Sequence, residues 1–479
     1  MCKQDDSFIF GKIAIVFLFT NIQPEYCPMK ISKIHIKDFL RFKDFTLDLT
    51  YPKGHEKEGK PLDKVCFIGQ SGTGKTSLLE LIPMFLYEYE TNLIIRKNLP
   101  NDVENINFDV HFGIEYQYIA NLQFMLDYQK KRFLNVGNIT FDIDTDELIF
   151  EDEDFYTLYD EWRGDNTSKL IYFPSNLNYD VEIETDNKLE NRVIIDFSQD
   201  KVSSVWNLIL EKIQTYQEQE LKIRQDISKV VEKSSSNLDL IQEALKNLKT
   251  WKNSEFNPIK DVADNCLDPL LKKFELRVKT ELDFKTKDDI GFIKIEDFEG
   301  NEIPNGLWST GTKQVILSAL PLYLLKPKHT VILFDEPERS LYPDLQRTVV
   351  DYYSSLAENC QFFYSTHSPI IASSFDPWEI VELKFNKEHK VYREIYYEGE
   401  NHIDNYKWNP KYMRWDDILQ RVFDLEDDGS PERRLKLDEL ATLNVKYKKL
   451  TKQGQEHSEA ALGIIKDIGK LSKELSEWD

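Results

Sequence analysis

Residues Lys64 to Tyr89 read KVCFI, then GQSGTGKT, then SLLELIPMFLYEY, and this stretch decides the fold. KVCFI is a short apolar run of the kind that forms a strand buried on both faces. In the last segment Leu78, Leu79, Leu81, Ile82, Phe85 and Leu86 recur at helical spacing. The eight residues between them match G-x-x-x-x-G-K-[ST] in full. Strand, glycine-rich turn and helix therefore follow one another without a gap. The glycines let backbone amides turn inward around a phosphate chain, and the helix points its N-terminus at the same anion. Lys75 places a point charge near the terminal phosphates, and Thr76 offers a hydroxyl to Mg²⁺. Gly69, Gln70, Ser71, Gly72, Thr73, Gly74, Lys75, Thr76 and Ser77 are the expected nucleotide contacts.

Downstream, Thr330 to Phe334 (TVILF) is a second buried strand, and it runs straight into Asp335 and Glu336. Packing does not require two acids at the end of a buried strand, and their desolvation costs stability unless they do something there. Asp335 is the expected Mg²⁺ residue, and Glu336 is expected to orient and polarise an attacking water. The next buried strand, Gln361 to Ser365, is followed by His367, whose ring is placed to reach the γ-phosphate or that water. Between the glycine-rich turn and the acidic strand lies STGTKQ, Ser309 to Gln314, opening another helix. A Ser and a Gly at a helix N-terminus make a second anion cradle. One chain holding one nucleotide does not need two, so Ser309 and Gly311 are expected to serve ATP held by another copy.

The order GQSGTGKT, STGTKQ, VILFDEPERSLYP, FFYSTHSP resembles the ABC-type ATPase superfamily, as its Walker A, signature, Walker B with D-loop, and switch-histidine motifs. DEPE followed by LYP is similar to the SMC, RecF and OLD branch, as is the opening KISKIHIKDFLRFKDFTLDL. The resemblance covers roughly half the chain. It implies a homodimer or higher homo-oligomer in which Lys75, Thr76, Asp335, Glu336 and His367 of one head face Ser309 and Gly311 of the other across ATP and Mg²⁺. Ser340 to Tyr342 stands at the D-loop position. The signature departs at Trp308, where Leu is usual, and at Thr312, where Glu is common; neither removes the Ser or the Gly. The pattern leaves the Q-loop residue unassigned. Within the branch the chain resembles compact bacterial ATPases of restriction and anti-phage defence, OLD-like proteins and PARIS-type subunits among them. That resemblance implies a slow ATPase that controls a separately encoded effector, such as a nuclease. Alternatives are a RecF-like repair ATPase acting on DNA, an ATP-bound scaffold with little turnover, and, less favoured, a transporter's nucleotide-binding subunit.

The expected fold is α/β: an ABC-type P-loop ATPase head with a mixed-sheet lobe, a helical middle insertion and a helical C-terminal extension. Residues 1–28 read as a dispensable N-terminal extension, with Met29 an alternative start, 29–200 as the first lobe, 201–285 as the insertion, 286–400 as the second lobe and 401–479 as the C-terminal extension. Strands are expected over Ile31–Leu49 and Phe108–Phe150. Two helices broken at Ser234–Ser236 are expected over Val202–Trp251, one helix over Leu267–Leu282, and a strand with an Glu299-Gly300-Asn301 turn from Asp289. In the tail, Leu435, Leu440, Leu443 and Tyr447 are expected on one face, and Leu462, Ile465, Leu471 and Leu475 on another.

Composition bounds the partners. A chain of 479 residues exceeds what one compact core organises, and 41% hydrophobic content supplies a large core. A net charge of −23 excludes general electrostatic attraction to DNA or anionic lipid, leaving only local basic clusters such as Lys130-Lys131-Arg132, Lys272-Lys273 and Lys446–Lys449. Contact with nucleic acid stays open. Five scattered cysteines with no C-x-x-C pair argue against a zinc site or disulfide framework and for a reducing, cytoplasmic setting. Phe8–Thr20 is apolar but short and interrupted by Lys12, so no membrane span is expected. Glu426-Asp427-Asp428 does not end a hydrophobic strand, so no nuclease site is expected in this chain.

Overall fold

A computed structural model describes residues 30–83, 119–127, 132–137, 140–142, 147–149, 169–177, 189, 192–233, 237–281, 293–395, 409–425 and 429–475, with backbone only for 37–39 and 119–149. The N-terminal extension, residues 84–89 of the expected first helix, 108–118 of the expected strands, Ser234–Ser236, the strand start at Asp289, Lys130-Lys131 and Glu426–Asp428 lie outside the described residues. Two compact units are present, one up to Tyr412 and one from Met413.

The first unit is built on one sheet. Its strands are β1 (Lys30–Phe39), β2 (Phe42–Asp48), β3 (Lys64–Gly69), β4 (Ile119–Asp127), β5 (Arg132–Gly137), a separate hairpin of β6 (Thr140–Asp142) and β7 (Glu147–Ile149), then β8 (Leu170–Phe173) and β9 (Ile194–Asp196). A second small sheet holds β10 (Leu276–Val278), β11 (Ile295–Asp297) and β12 (Glu302–Ile303); β13 (Val331–Asp335), β14 (Gln361–Ser365), β15 (Ile380–Phe385) and β16 (Val391–Arg393) complete the large one. The large sheet runs β5-β4-β1-β2-β16-β15-β3-β14-β13-β8-β9. From β15 to β9 all pairings are parallel, whereas β1 pairs antiparallel with β2 and β4. The sheet is therefore mixed, as expected for the first lobe.

Parallel strands carry helices on their faces and must be apolar throughout. β8, β13 and β14 are buried at every position. Because β3, β14, β13 and β8 are parallel and adjacent, their C-terminal ends emerge along one edge, where α/β sheets bind ligands. Gln361 locks this arrangement from the other end. Its buried side chain accepts from Ile31 N at 2.7 Å and donates to the carbonyls of Ile31 and Leu62, both at 2.9 Å. Behind the site, Phe334 stacks on Phe173 at 4.5 Å and on Tyr353 at 4.9 Å between ring centroids.

Helix α1 occupies residues 75–83 and buries Leu78, Leu79, Leu81 and Ile82, as its spacing predicts. In the middle region α2 (Asn207–Lys233) and α3 (Leu238–Ser254) are the two expected helices. The expected helix over Leu267–Leu282 is not there. Short helical turns run from Pro258 to Phe274, including a π-turn at Ala263–Leu267, and stop where Glu275 takes a left-handed backbone with φ 58°. β10 follows, tied back by Val278 N donating to Asp268 Oδ1 at 2.8 Å. α4 (Thr310–Leu325) and α5 (Pro343–Ser355) flank β13 in sequence.

The second unit holds α6 (Trp415–Arg421), α7 (Pro431–Lys452) and α8 (Glu459–Leu475). α7 and α8 pack as a hairpin, with Lys436 Nζ 2.7 Å from Glu474 Oε2 and Arg433 Nη1 donating to Leu475 O at 3.1 Å. The expected apolar faces need correction. Leu435, Leu462 and Ile465 are exposed, while Ala461 and Leu471 are buried and Leu437, Leu440, Leu443, Tyr447, Ile464, Ile468 and Leu475 are half-buried. Contacts fall at alternating steps of three and four, the seam of a paired helix, which passes beside rather than through Leu435, Leu462 and Ile465. Among the described residues no helix is long and apolar enough to cross a membrane.

Candidate functional site

The turn from β3 into α1 is a backbone cradle that only glycine permits. Gly69, Gly72 and Gly74 have φ of 145°, 82° and 83°. A Cβ on Gly69 would lie 2.3 Å from Leu383 O on the neighbouring strand β15, and one on Gly74 would strike the Phe42 ring at 2.8 Å. Thr73 ties the turn across itself, its hydroxyl donating to Gln70 O at 2.8 Å. Gln70, Ser71 and Gly72 are exposed at the rim, Thr73 and Lys75 are buried, and Ser77 is half-buried in the first turn of α1.

Lys75 lies across the cradle, its ammonium donating to the carbonyls of Gly69 at 2.9 Å and Gln70 at 3.2 Å. Burial lowers its pKa to about 8, against the pull of the Glu336, Asp335 and Glu338 carboxylates. An ammonium held in a dry turn by two carbonyls is ready to exchange them for phosphate oxygens. Next to it the Thr76 hydroxyl reaches both oxygens of Asp335, at 3.1 and 3.0 Å. This contact joins the end of β13 to the start of α1. Burial raises the Asp335 pKa, while the Ser365, Thr76 and Ser175 side chains pull it down. A hydroxyl and a buried carboxylate, both hard oxygen donors, fit Mg²⁺, which takes few protein ligands and keeps the rest for water and phosphate. Among the described residues no group of three His, Cys, Asp or Glu side chains converges on a metal position.

Glu336 follows with φ 47°, its N–H donating to Ser365 O at 2.9 Å, so the chain turns sharply out of β13 beside the end of β14. His367 Nε2 stands 3.9 Å from Glu336 Oε1, too far for a hydrogen bond. Burial and the nearby Lys75 charge lower the His367 pKa, with Glu336 opposing. Lys75, Thr76, Asp335, Glu336 and His367 are thus brought to one edge of the sheet.

Ser309 and Gly311 sit elsewhere in the chain, at the N-terminus of α4. Ser309 is exposed and its hydroxyl caps its own helix, accepting from Thr312 N at 3.0 Å and meeting Thr312 Oγ1 at 2.7 Å. Thr312, the departure from the usual signature residue, is therefore a partner of the Ser. Gly311 packs so closely on the Ser340–Tyr342 turn that an added Cβ would lie 2.6 Å from Ser340 O.

A family model described as an AAA ATPase domain matches residues 29–372. The chain belongs to that family. The matched span runs from β1 through the histidine turn and includes Lys75, Thr76, Ser309, Gly311, Asp335, Glu336 and His367. No curated protein matches the chain. Among solved structures, the SMC head bound to the C-winged helix domain of ScpA is similar at 15% identity and a TM-score of 0.37, covering 76% of this chain and 97% of that one. The Pyrococcus furiosus SMC head with an extended coiled coil, bound to the C-terminal domain of ScpA, gives 15%, 0.36, 76% and 96%. The Thermotoga maritima SMC head gives 11%, 0.33, 76% and 98%. Membership rests on the family match. An ATPase of this kind binds ATP, typically with Mg²⁺, and hydrolyses it.

The structure adds residues that motif reading passed over. Arg41, in the β1–β2 turn, donates to Gly72 O at 3.4 Å with its guanidinium over the Phe385 ring. Ser175 follows β8 at the side of Asp335. Glu338 is buried behind Glu336. Only Glu338 had a signal in the sequence, the third acid of DEPE.

Proposed function

We propose that the chain binds ATP in the 69–77 cradle, hydrolyses it slowly, and completes each site only when a second copy contributes Ser309 and Gly311 head to head. Lys75 takes the β and γ phosphates in place of the Gly69 and Gln70 carbonyls. Thr76 and Asp335 hold Mg²⁺, which when bound offsets charge on the phosphate oxygens. Glu336 accepts a proton from the attacking water, and His367 donates toward the γ-phosphate or orients that water. Closure on ATP is the useful output and hydrolysis the reset.

The observation that supports the reading is the direct Thr76–Asp335 contact, which joins the start of the cradle's helix to the end of the acidic strand. Two facts support the second copy. Ser309 is exposed at a helix N-terminus, the end of a helix dipole that attracts anions, and it lies outside the cradle of its own chain.

Mixing tests the shared site. Ser309→Arg keeps an intact cradle but blocks its partner's; Glu336→Gln keeps an intact Ser309. Each alone is expected to lose at least about 100-fold of its phosphate release, roughly the loss caused by removing one key catalytic contact. Mixed, they form one intact site per dimer and regain activity. A mixture as inactive as its components contradicts the shared site.

The further role we propose is control of a separately encoded effector, such as a nuclease, in anti-phage defence; the support is the resemblance to defence ATPases of this size. Deleting the chain from a host with an active locus is expected to raise phage plating. Unchanged plating contradicts that role.

A further inference from the structure

Glu338 is a buried carboxylate, 8% exposed, with no part in the chemistry above. Its Oε1 accepts the Thr366 hydroxyl and the His367 N–H, the latter at 3.2 Å. Its Oε2 has no hydrogen-bond partner among the described residues. From this point a closed circuit runs through three segments. Thr366 Oγ1 accepts from Ser368 N at 2.9 Å, and the Ser368 hydroxyl donates to Gln346 Oε1 at 2.6 Å. Gln346 Nε2 donates to Leu341 O at 2.8 Å, and Leu341 N donates to Glu338 O at 2.9 Å, which returns the circuit to its start.

We infer that Glu338 is a positioning residue: through Thr366 and the His367 backbone it sets the His367 ring opposite Glu336, and through Leu341 it fixes the Ser340–Tyr342 turn that packs on Gly311. A buried carboxylate with an oxygen left bare is costly, and an apolar residue would fill the space more cheaply. The acceptor at Oε1 is what an apolar residue could not supply. The Glu336–Ser365 backbone bond already described also ties the turn after β13 to the end of β14, but it does not reach His367. The inference rests on the proposed role of His367.

The test is steady-state phosphate release by the full-length protein carrying Glu338→Gln, Glu338→Ala, Thr366→Val, His367→Ala and the Glu338→Ala/His367→Ala pair. Glu338→Gln retains the Oε1 acceptor and is expected to keep kcat within about threefold. Glu338→Ala and Thr366→Val are expected to lower kcat by roughly 10- to 100-fold, the cost of a displaced catalytic group, with KM for ATP within about twofold. Acting through His367, Glu338→Ala is expected to add nothing to His367→Ala in the double variant. Thr366→Val preserves side-chain shape and so reads the same tie if Glu338→Ala does not fold. Losses that multiply in the double variant, or full activity in Thr366→Val while His367→Ala is slow, overturn the inference. Full activity in His367→Ala overturns the reading of His367 itself, and the inference with it.

Discussion

Lys75 carries a pKa near 8 in the nucleotide-free chain because burial works against its charge more than three nearby carboxylates support it. The sign of the consequence follows directly. The protonated form attracts phosphate, so ATP affinity is full below pH 8 and falls as the pH rises through it. Lys75→Arg holds its charge throughout and is expected to bind with a flat profile, though without the same fit to the cradle. Equilibrium binding between pH 7 and 9, without Mg²⁺, checks this; a wild-type profile as flat as that of the Arg variant contradicts it. At this scale the placement of the residues was largely legible. Lys75, Thr76, Asp335 and Glu336 could be named because each type is tied by spacing to a strand end or helix start. Glu338 could not be given a role, because that depends on Thr366 and His367, residues 28 and 29 positions away that only the parallel pairing of β13 with β14 brings close.

The elements show where periodicity suffices and where it does not. TVILF and QFFYS were readable as strands because a short apolar run beside turn residues has few other solutions. Leu267–Leu282 was not. Leu267, Leu270, Leu271, Phe274 and Val278 fall at helical steps, and only the pairing of Leu276–Val278 with β11 makes the end of that stretch a strand. The tail failed in a different way: helices were right, but the choice of face turned on a 3.5-residue seam that an exposed leucine can imitate. The junction of α4 with the Ser340 turn gives an element-level prediction. Gly311→Ala forces a methyl against a backbone carbonyl and is expected to cost about 1–3 kcal/mol, typical of overpacking. Gly306→Ala, with nothing within 4 Å of its Cβ, is expected to stay within about 0.5 kcal/mol. Thermal melts distinguish them; equal midpoints contradict the close packing of α4 on the turn.

At the scale of the whole molecule the net charge matters most. Two copies each carrying −23 repel at long range, so association needs specific contacts, and ATP buried between cationic and helix-end groups is a means of supplying them. In the proposed dimer the sheet edge holding Lys75, Asp335 and His367 would be one half of such a site, and Ser309 and Gly311 at the N-terminus of α4 the other. The decisive measurement is the molar mass of Glu336→Gln by light scattering, with and without ATP and Mg²⁺, near 0.15 M salt. The account predicts the 56.5 kDa chain alone without nucleotide and a doubled mass with ATP and Mg²⁺. A mass that does not change on adding ATP, in protein shown to bind it, contradicts the shared site.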